Sequence, residues 1–289
     1  MIDTVTIFAR WPLRTALPGR RKTGIAPGLR VWADATGATL ERAECSLPRL
    51  LFGQNGKVLA NQGELAAGLS KLHTELNRVA DMPDVDRWRP WRVDMAWNFD
   101  FPARPLVLAH AGLRVPGIRS GSTLHPDCHG VSWRGAASRF MVRLYDKGRE
   151  MRLPVSVLRA EISLRGEQLN RRLCGDWRQF SDLWRVYRDI MASIPPVQKP
   201  TKADGWPEAV GAESPETRQR ILARLGHKPA ATFRRYRQRV ETAAAGLPGG
   251  FSWADILPVN GPPSPVEVCL AKGERPASGH PGAFAGHCG

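Results

Sequence analysis

Three segments far apart in the chain, RVDMAWNF (92–99), RFMVRLYDK (139–147) and VLRAEISLR (157–165), alternate apolar and polar residues with period two. That period belongs to a β-strand, whose successive side chains leave opposite faces. In the first segment Val93, Met95, Trp97 and Phe99 share one face, and Arg92, Asp94, Ala96 and Asn98 the other. In the second, Phe140, Val142 and Leu144 oppose Arg143, Tyr145 and Lys147; in the third, Leu158, Ala160, Ile162 and Leu164 oppose Arg159, Glu161, Ser163 and Arg165. Strands greasy on one side only need helices to cover that side. The pattern therefore predicts an α+β fold, a mainly antiparallel sheet with its helices on one face.

The remaining segments supply the parts. DTVTIF (3–8) reads as a strand, and LRVWAD (29–34) with ATLERAEC (38–45) as a hairpin around the turn-forming DATG. Leu65, Leu69, Leu72, Leu76 and Val79 recur at helical spacing and predict an amphipathic helix over 62–80. RPLVLAHAG (104–112), GEQLNRRL (166–173) and DWRQFSDLWRVYRDIMASI (176–194) read as further helices, and Tyr187 falls among the packing residues of the last. These elements define a domain over 1–195. Pro, Gly and Lys then replace periodic sequence over 196–211, the composition of a linker. Residues 212–250 read as a small C-terminal helical appendage. Its first helix opens on Ser214, Pro215 and Glu216, and its second carries Arg234, Arg235, Arg237 and Arg239. Residues 251–289 read as a tail too rich in Pro and Gly to order.

Charge narrows the partners. Among 289 residues, Lys and Arg number 42 against 27 acidic residues, a formal charge of +15. An excess of that size works against a compact chain unless a polyanion is bound, and nucleic acid is the first candidate. No run of apolar residues is long enough to span a bilayer, and the opening MIDTVTIFARW lacks the layout of a signal peptide, so the expected location is the cytoplasm with no membrane partner. The five cysteines are scattered without a CxxC pair, which argues against a disulfide framework or a zinc ribbon.

If the three alternating strands share a sheet, Asp94, Tyr145, Lys147 and Glu161 project from one open face. Two carboxylates from neighbouring strands are what Mg²⁺ or Mn²⁺ takes from a protein while water and phosphate fill its other positions. Arginines and a lysine beside them clamp a phosphodiester and favour the phenolate, which can attack phosphorus and leave DNA joined to the protein. Each carboxylate alone also reads as a salt bridge on a basic sheet. A non-enzymatic DNA-binding protein, an origin-binding or repressor module, is thus the alternative. An RNA-binding sheet would expose aromatics on its polar face, whereas Trp97 and Phe99 fall on the apolar one.

MIDTVTI, SLPRLLFGQN, WRVDMAWNF, GVSWRGAASRFMVRLYDKGREM and VLRAEISLR, in that order, resemble the replication initiators of filamentous bacteriophages, the nicking-joining endonucleases of rolling-circle replication. They are similar also to the related initiators of rolling-circle plasmids. The resemblance spans roughly residues 1 to 190 and implies a rolling-circle initiator nuclease-like fold acting on origin DNA. It makes Tyr145 the nucleophile that forms a 5′-phosphotyrosine, sets Lys147 beside the scissile phosphate, and makes Asp94 and Glu161 the acidic metal-site residues. Arg92, Arg143, Arg159, Arg234 and Arg235 become DNA contacts, and the host helicase and polymerase become partners in a bacterial cytoplasm. The pair of metal-binding histidines separated by one residue that the wider superfamily carries is absent here. His129, in HPDCH (125–129), is the remaining candidate to complete the divalent site.

Overall fold

In a computed structural model, the described residues are 1–17, 22–101, 103–110, 123–125, 129–135, 139–196 and 252–265, with positions 113, 115 and 118. The alternating segments and their neighbours build a nine-stranded sheet. Its strands are β1 (Ile2–Pro12), β2 (Lys22–Ala26), β3 (Leu29–Ala33), β4 (Thr39–Ser46), β5 (Pro90–Phe99), β6 (Thr123–Leu124), β7 (Gly130–Arg134), β8 (Phe140–Asp146) and β9 (Leu158–Arg165). They lie in the order β2-β3-β4-β1-β5-β9-β8-β7-β6, with every neighbouring pair antiparallel. Strands β5, β9 and β8 are adjacent at the centre, so the three alternating segments do share one surface. The α+β expectation holds.

The apolar faces of these strands are buried under helices. Helix α1 (Leu47–Phe52) leads to α2 (Gln62–Asn77), which starts where Asn61 accepts a hydrogen bond from the Glu64 amide at 2.9 Å and buries Leu65, Leu69, Leu72 and Leu76. It ends three residues before the expected 80. There Asn77 turns its side chain to accept the Met82 amide at 3.1 Å, and Ala80 instead bridges Leu13. Helix α3 (Ala103–His110) packs against β7, β8 and β9, α4 (Lys147–Glu150) follows β8 directly, and α5 (Glu167–Arg172) follows β9. Helix α6 (Phe180–Ala192) sets Phe180 and Trp184 edge-on to Trp97, with ring centroids 6.4 and 5.9 Å away, and Tyr187 donates to the Ala160 carbonyl at 3.1 Å. Tyr187 is thus a core residue with a satisfied hydroxyl, as its helical spacing predicts.

One compositional reading needs correction. Residues 252–265, placed in the disordered tail by their Pro and Gly content, return to the sheet domain. Helix α7 (Trp253–Ile256) buries Trp253 edge-on to Phe99 at 5.2 Å, and its indole donates to Nε2 of His110 at 3.0 Å. The Trp184 indole donates to the Pro258 carbonyl at 3.2 Å. A single buried tryptophan outweighs several turn-forming neighbours, because burying so large a ring is worth more than local propensity costs. The basic helices, with Arg234 and Arg235, and nearly all of the linker lie outside the described residues. Among the described residues, no helix is long and apolar enough to cross a membrane.

Candidate active site on the polar face of the sheet

Strand register stacks the polar face into cross-strand rows. Asn98, Arg159, Tyr145 and Gly130 form the first; Ala96, Glu161, Arg143 and Ser132 the second; Thr4, Asp94, Ser163 and Met141 the third; Glu44, Thr6, Arg92 and Arg165 the fourth. Diagonal neighbours in such an array come within reach of long side chains. The register therefore assembles Tyr145, Glu161, Arg143 and Asp94 from three strands.

The Tyr145 hydroxyl donates to Oε2 of Glu161 at 3.2 Å, while the other oxygen of Glu161 accepts from Arg143. Arg143 and Lys147 approach the Tyr145 ring, with Cζ and Nζ 5.7 and 6.0 Å from its centroid. Gly130 faces Tyr145 across the β7–β8 ladder; a Cβ there would sit 2.8 Å from Cδ2 of His125 and 3.3 Å from Cβ of Tyr145, so glycine is what lets His125 lie beside the tyrosine. The YDKG turn is equally constrained. Asp146 caps α4 by accepting from the Arg149 amide at 3.1 Å and from Ser156 Oγ at 2.9 Å, and a Cβ on Gly148 would overlap the Val155 carbonyl. The turn aims Lys147 back toward the tyrosine, where Nζ pairs with Glu150 at 2.9 Å. Neither Asp146 nor Gly148 stands out by charge patterning, although Asp directly before a short helix is a readable capping signal.

The face is less open than alternation implies. Asp94, Glu161 and Lys147 are 1%, 3% and 1% exposed, and Arg159 is fully buried. Arg159 donates to Asn98 Oδ1 at 2.7 Å, to Asp3 Oδ1 at 3.3 Å and to the Gly56 carbonyl at 3.3 Å, so the loop after α1 lies over it. This corrects its placement among exposed DNA contacts. Burial of an unpaired guanidinium is expensive, and the sequence signal for its partners, Asp3 and Asn98, is spread over two other strands. Arg92 and Arg143 keep partial exposure; Arg92 Nε donates to Asp94 Oδ1 at 2.8 Å, and its guanidinium also reaches Glu44 at 3.7 Å.

Burial dominates the ionisation of the group. It pushes the Tyr145 hydroxyl well above the usual phenol range, Glu161 adds to the effect, and Arg159 and Arg143 oppose it. The resting tyrosine is therefore the protonated phenol, contrary to the phenolate that neighbouring cations alone suggest. Burial raises Asp94 to about 6, against the pull of Arg92. Glu161 resists burial because Arg143 and Arg159 hold it below the ordinary carboxylate range. Lys147 is lowered by burial and by Arg159, with Glu150 opposing.

His129 lies at the start of β7, and its carbonyl accepts from the Asp146 amide at 2.9 Å, which fixes the loop beside the site. Among the described residues, no three of His, Cys, Asp or Glu converge as a metal cage. Asp94 and Glu161, on adjacent strands of this face, are carboxylates each held by an arginine.

No protein-family profile and no curated protein matches the chain. Among solved structures it is similar to a rolling-circle replication initiator protein from Geobacillus stearothermophilus, with 13% identity, 71% of this chain and 88% of that chain covered, and a TM-score of 0.40.

Proposed function

We propose that the protein is a nicking-joining endonuclease that initiates rolling-circle replication, cutting one strand of origin DNA through Tyr145. The observation that carries this reading is the Tyr145 hydroxyl on Glu161 with Arg143 and Lys147 beside its ring, a nucleophile with a base at hydrogen-bond distance and, in the partly exposed Arg143, a cation to receive a phosphate. The sequence motifs RVD, YDK and RAE, which meet on this face, support the same class.

In the proposed step, Oη of Tyr145 bonds to phosphorus and its proton passes to Oε2 of Glu161. The bond from phosphorus to the 3′-oxygen breaks, and that oxygen takes a proton from water. The products are a 5′-phosphotyrosine and a free 3′-hydroxyl, and the reverse reaction reseals the strand. Because Glu161 is held acidic and Tyr145 basic, transfer is unfavourable at rest and becomes favourable only as the oxygen–phosphorus bond forms. Arg143 and Arg92, the partly exposed guanidinia, are placed to take the phosphate oxygens.

Two carboxylates fit the protein's share of a Mg²⁺ or Mn²⁺ site, with a phosphate among the other ligands. Asp94 and Glu161 would hold the ion, releasing Arg92 and Arg143 toward the DNA, and the ion would supply charge stabilisation at phosphorus. The basic helix bearing Arg234 and Arg235 is proposed to add backbone contacts, and the host helicase and polymerase to act on the nicked origin in the bacterial cytoplasm.

The test is a labelled single-stranded oligonucleotide spanning the nick site, incubated with the full chain and Mg²⁺ or Mn²⁺ and run on a denaturing gel. A labelled band at the protein's mass, absent with Tyr145→Phe, is expected. Binding without an adduct under every condition sinks the enzyme reading and leaves the DNA-binding module.

A further inference from the structure

Beyond the fourth row the polar face carries a fifth. Cross-strand register sets Lys22, Trp32, Arg42 and Phe8 side by side on β2, β3, β4 and β1. Arg42 stacks on Trp32 with Cζ 4.3 Å from the ring centroid, and Lys22 Nζ and the Phe8 ring flank them, at 5.7 Å from Trp32 and 6.0 Å from Arg42. A fifth side chain joins by a fault in the ladder. Thr6 pairs with Arg92 but Ile7 pairs with Pro90, so Trp91 is the extra residue of a bulge. Bulges re-aim side chains, and here the Trp91 ring stands edge-on to Phe8 at 5.1 Å with Arg165 at 5.9 Å.

We propose that this aromatic and cationic row is a second nucleic-acid site, binding single-stranded DNA by base stacking and phosphate contact. Three observations argue for it. Phe8 keeps 50% of its surface exposed, an apolar cost that a strand relieves by turning such a residue inward. The cations are in excess: the fourth and fifth rows hold Lys22, Arg30, Arg42, Arg92 and Arg165 against the single carboxylate of Glu44. Among the described residues, Arg165 has no carboxylate within ion-pair distance, and its guanidinium stands by the Trp91 ring instead. Rings with faces for any base, interleaved with arginines that track the backbone, are how sequence-tolerant single-strand sites are built.

The row lies on the same face as Tyr145. Four two-residue steps along the strands and three strand spacings separate Phe8 from the tyrosine, roughly 30 Å. A strand leaving the tyrosine would pass Arg143, Arg92 and Arg165 before it stacks. The inference rests on the row itself and holds whether or not Tyr145 is a nucleophile.

Fluorescence anisotropy of a labelled oligothymidylate with the full chain tests it. Phe8→Leu combined with Trp32→Leu keeps apolar bulk but removes two π-faces, and is expected to weaken binding about tenfold or more. Wild-type affinity in the double variant, with an unaltered melting temperature, would show that the row only stabilises the sheet. If that variant melts early, Lys22→Gln with Arg165→Gln, which leaves every ring in place, decides instead: undiminished binding overturns the proposal. Equal competition by duplex DNA of the same length also overturns it, because a stacking site needs unpaired bases.

Discussion

Tyr145 and Glu161, sixteen residues apart, meet as donor and acceptor at 3.2 Å because register places them on diagonal positions of β8 and β9. Removing the phenolic oxygen in Tyr145→Phe deletes one hydrogen bond, worth about 1 kcal/mol, and leaves the ring among its cations. Adduct formation is expected to vanish while origin binding stays within a few-fold of wild type, measured by denaturing gel and by filter binding. Normal nicking by the variant would place the nucleophile elsewhere.

Glu161→Gln separates the base from its structural role. A general base contributes about 10²–10⁴-fold, so single-turnover cleavage is expected to fall in that range. The same substitution leaves Arg143 without its carboxylate, and the melting temperature should drop as well. Arg143→Gln alone is expected to cost stability and DNA affinity with a smaller loss in the chemical step. If the two variants lose cleavage equally and in proportion to binding, Glu161 is a salt-bridge partner only.

Asp94 supplies a pH signature. Burial raises its carboxyl to about 6, so it carries a proton below that pH and is an anion above it. If the anion is what the reaction uses, cleavage rises as pH passes upward through about 6, and the limb is absent in Asp94→Asn, whose residual activity excess Mn²⁺ partly restores. A pH–rate profile at subsaturating DNA, which reports ionisations of the free protein, checks this. Identical low-pH limbs in wild type and variant would assign the ionisation to another group.

The sheet is legible because period two survives intact in three segments, and that period sets Asp94, Tyr145 and Glu161 on one face. What the pattern could not express was depth. Alternation tells which face a residue leaves, and a loop from elsewhere in the chain decides whether that face meets water; the segment carrying Gly56 and Lys57 buries Arg159 that way. Arg159→Gln is accordingly expected to lower thermal stability by about 3 kcal/mol, with oligonucleotide affinity changed less. Cross-strand alignment hid the Phe8 row for a different reason. Its members sit on four strands joined by turns, and the bulge at Trp91 shifts the parity that sequence reading relies on.

Residues 252–265 change what a truncation should do. His110 Nδ1 donates to the Leu106 carbonyl at 2.7 Å, and its Nε2 accepts from the Trp253 indole at 3.0 Å, so both ring nitrogens are used by the neutral form alone. Burial accordingly depresses His110 to about 4. A histidine whose folded pKa lies below its unfolded value of 6.5 contributes stability that is full above pH 6.5 and is lost as pH falls toward 4. The depression corresponds to roughly 3 kcal/mol at its limit. Between about pH 6.5 and 4 the full chain should therefore lose stability relative to Trp253→Phe, which fills most of the space but donates nothing to the imidazole; Asp94, whose raised carboxyl contributes in the opposite sense over the same range, cancels in that comparison. Ending the chain near residue 200 removes the tryptophan altogether, and a buried Trp lost from a core costs about 3–5 kcal/mol. The truncated protein is expected to melt well below the full chain and to lose oligonucleotide cleavage with its stability. A truncation that melts at the full chain's temperature and keeps cleavage would show that α7 adds nothing to the catalytic sheet.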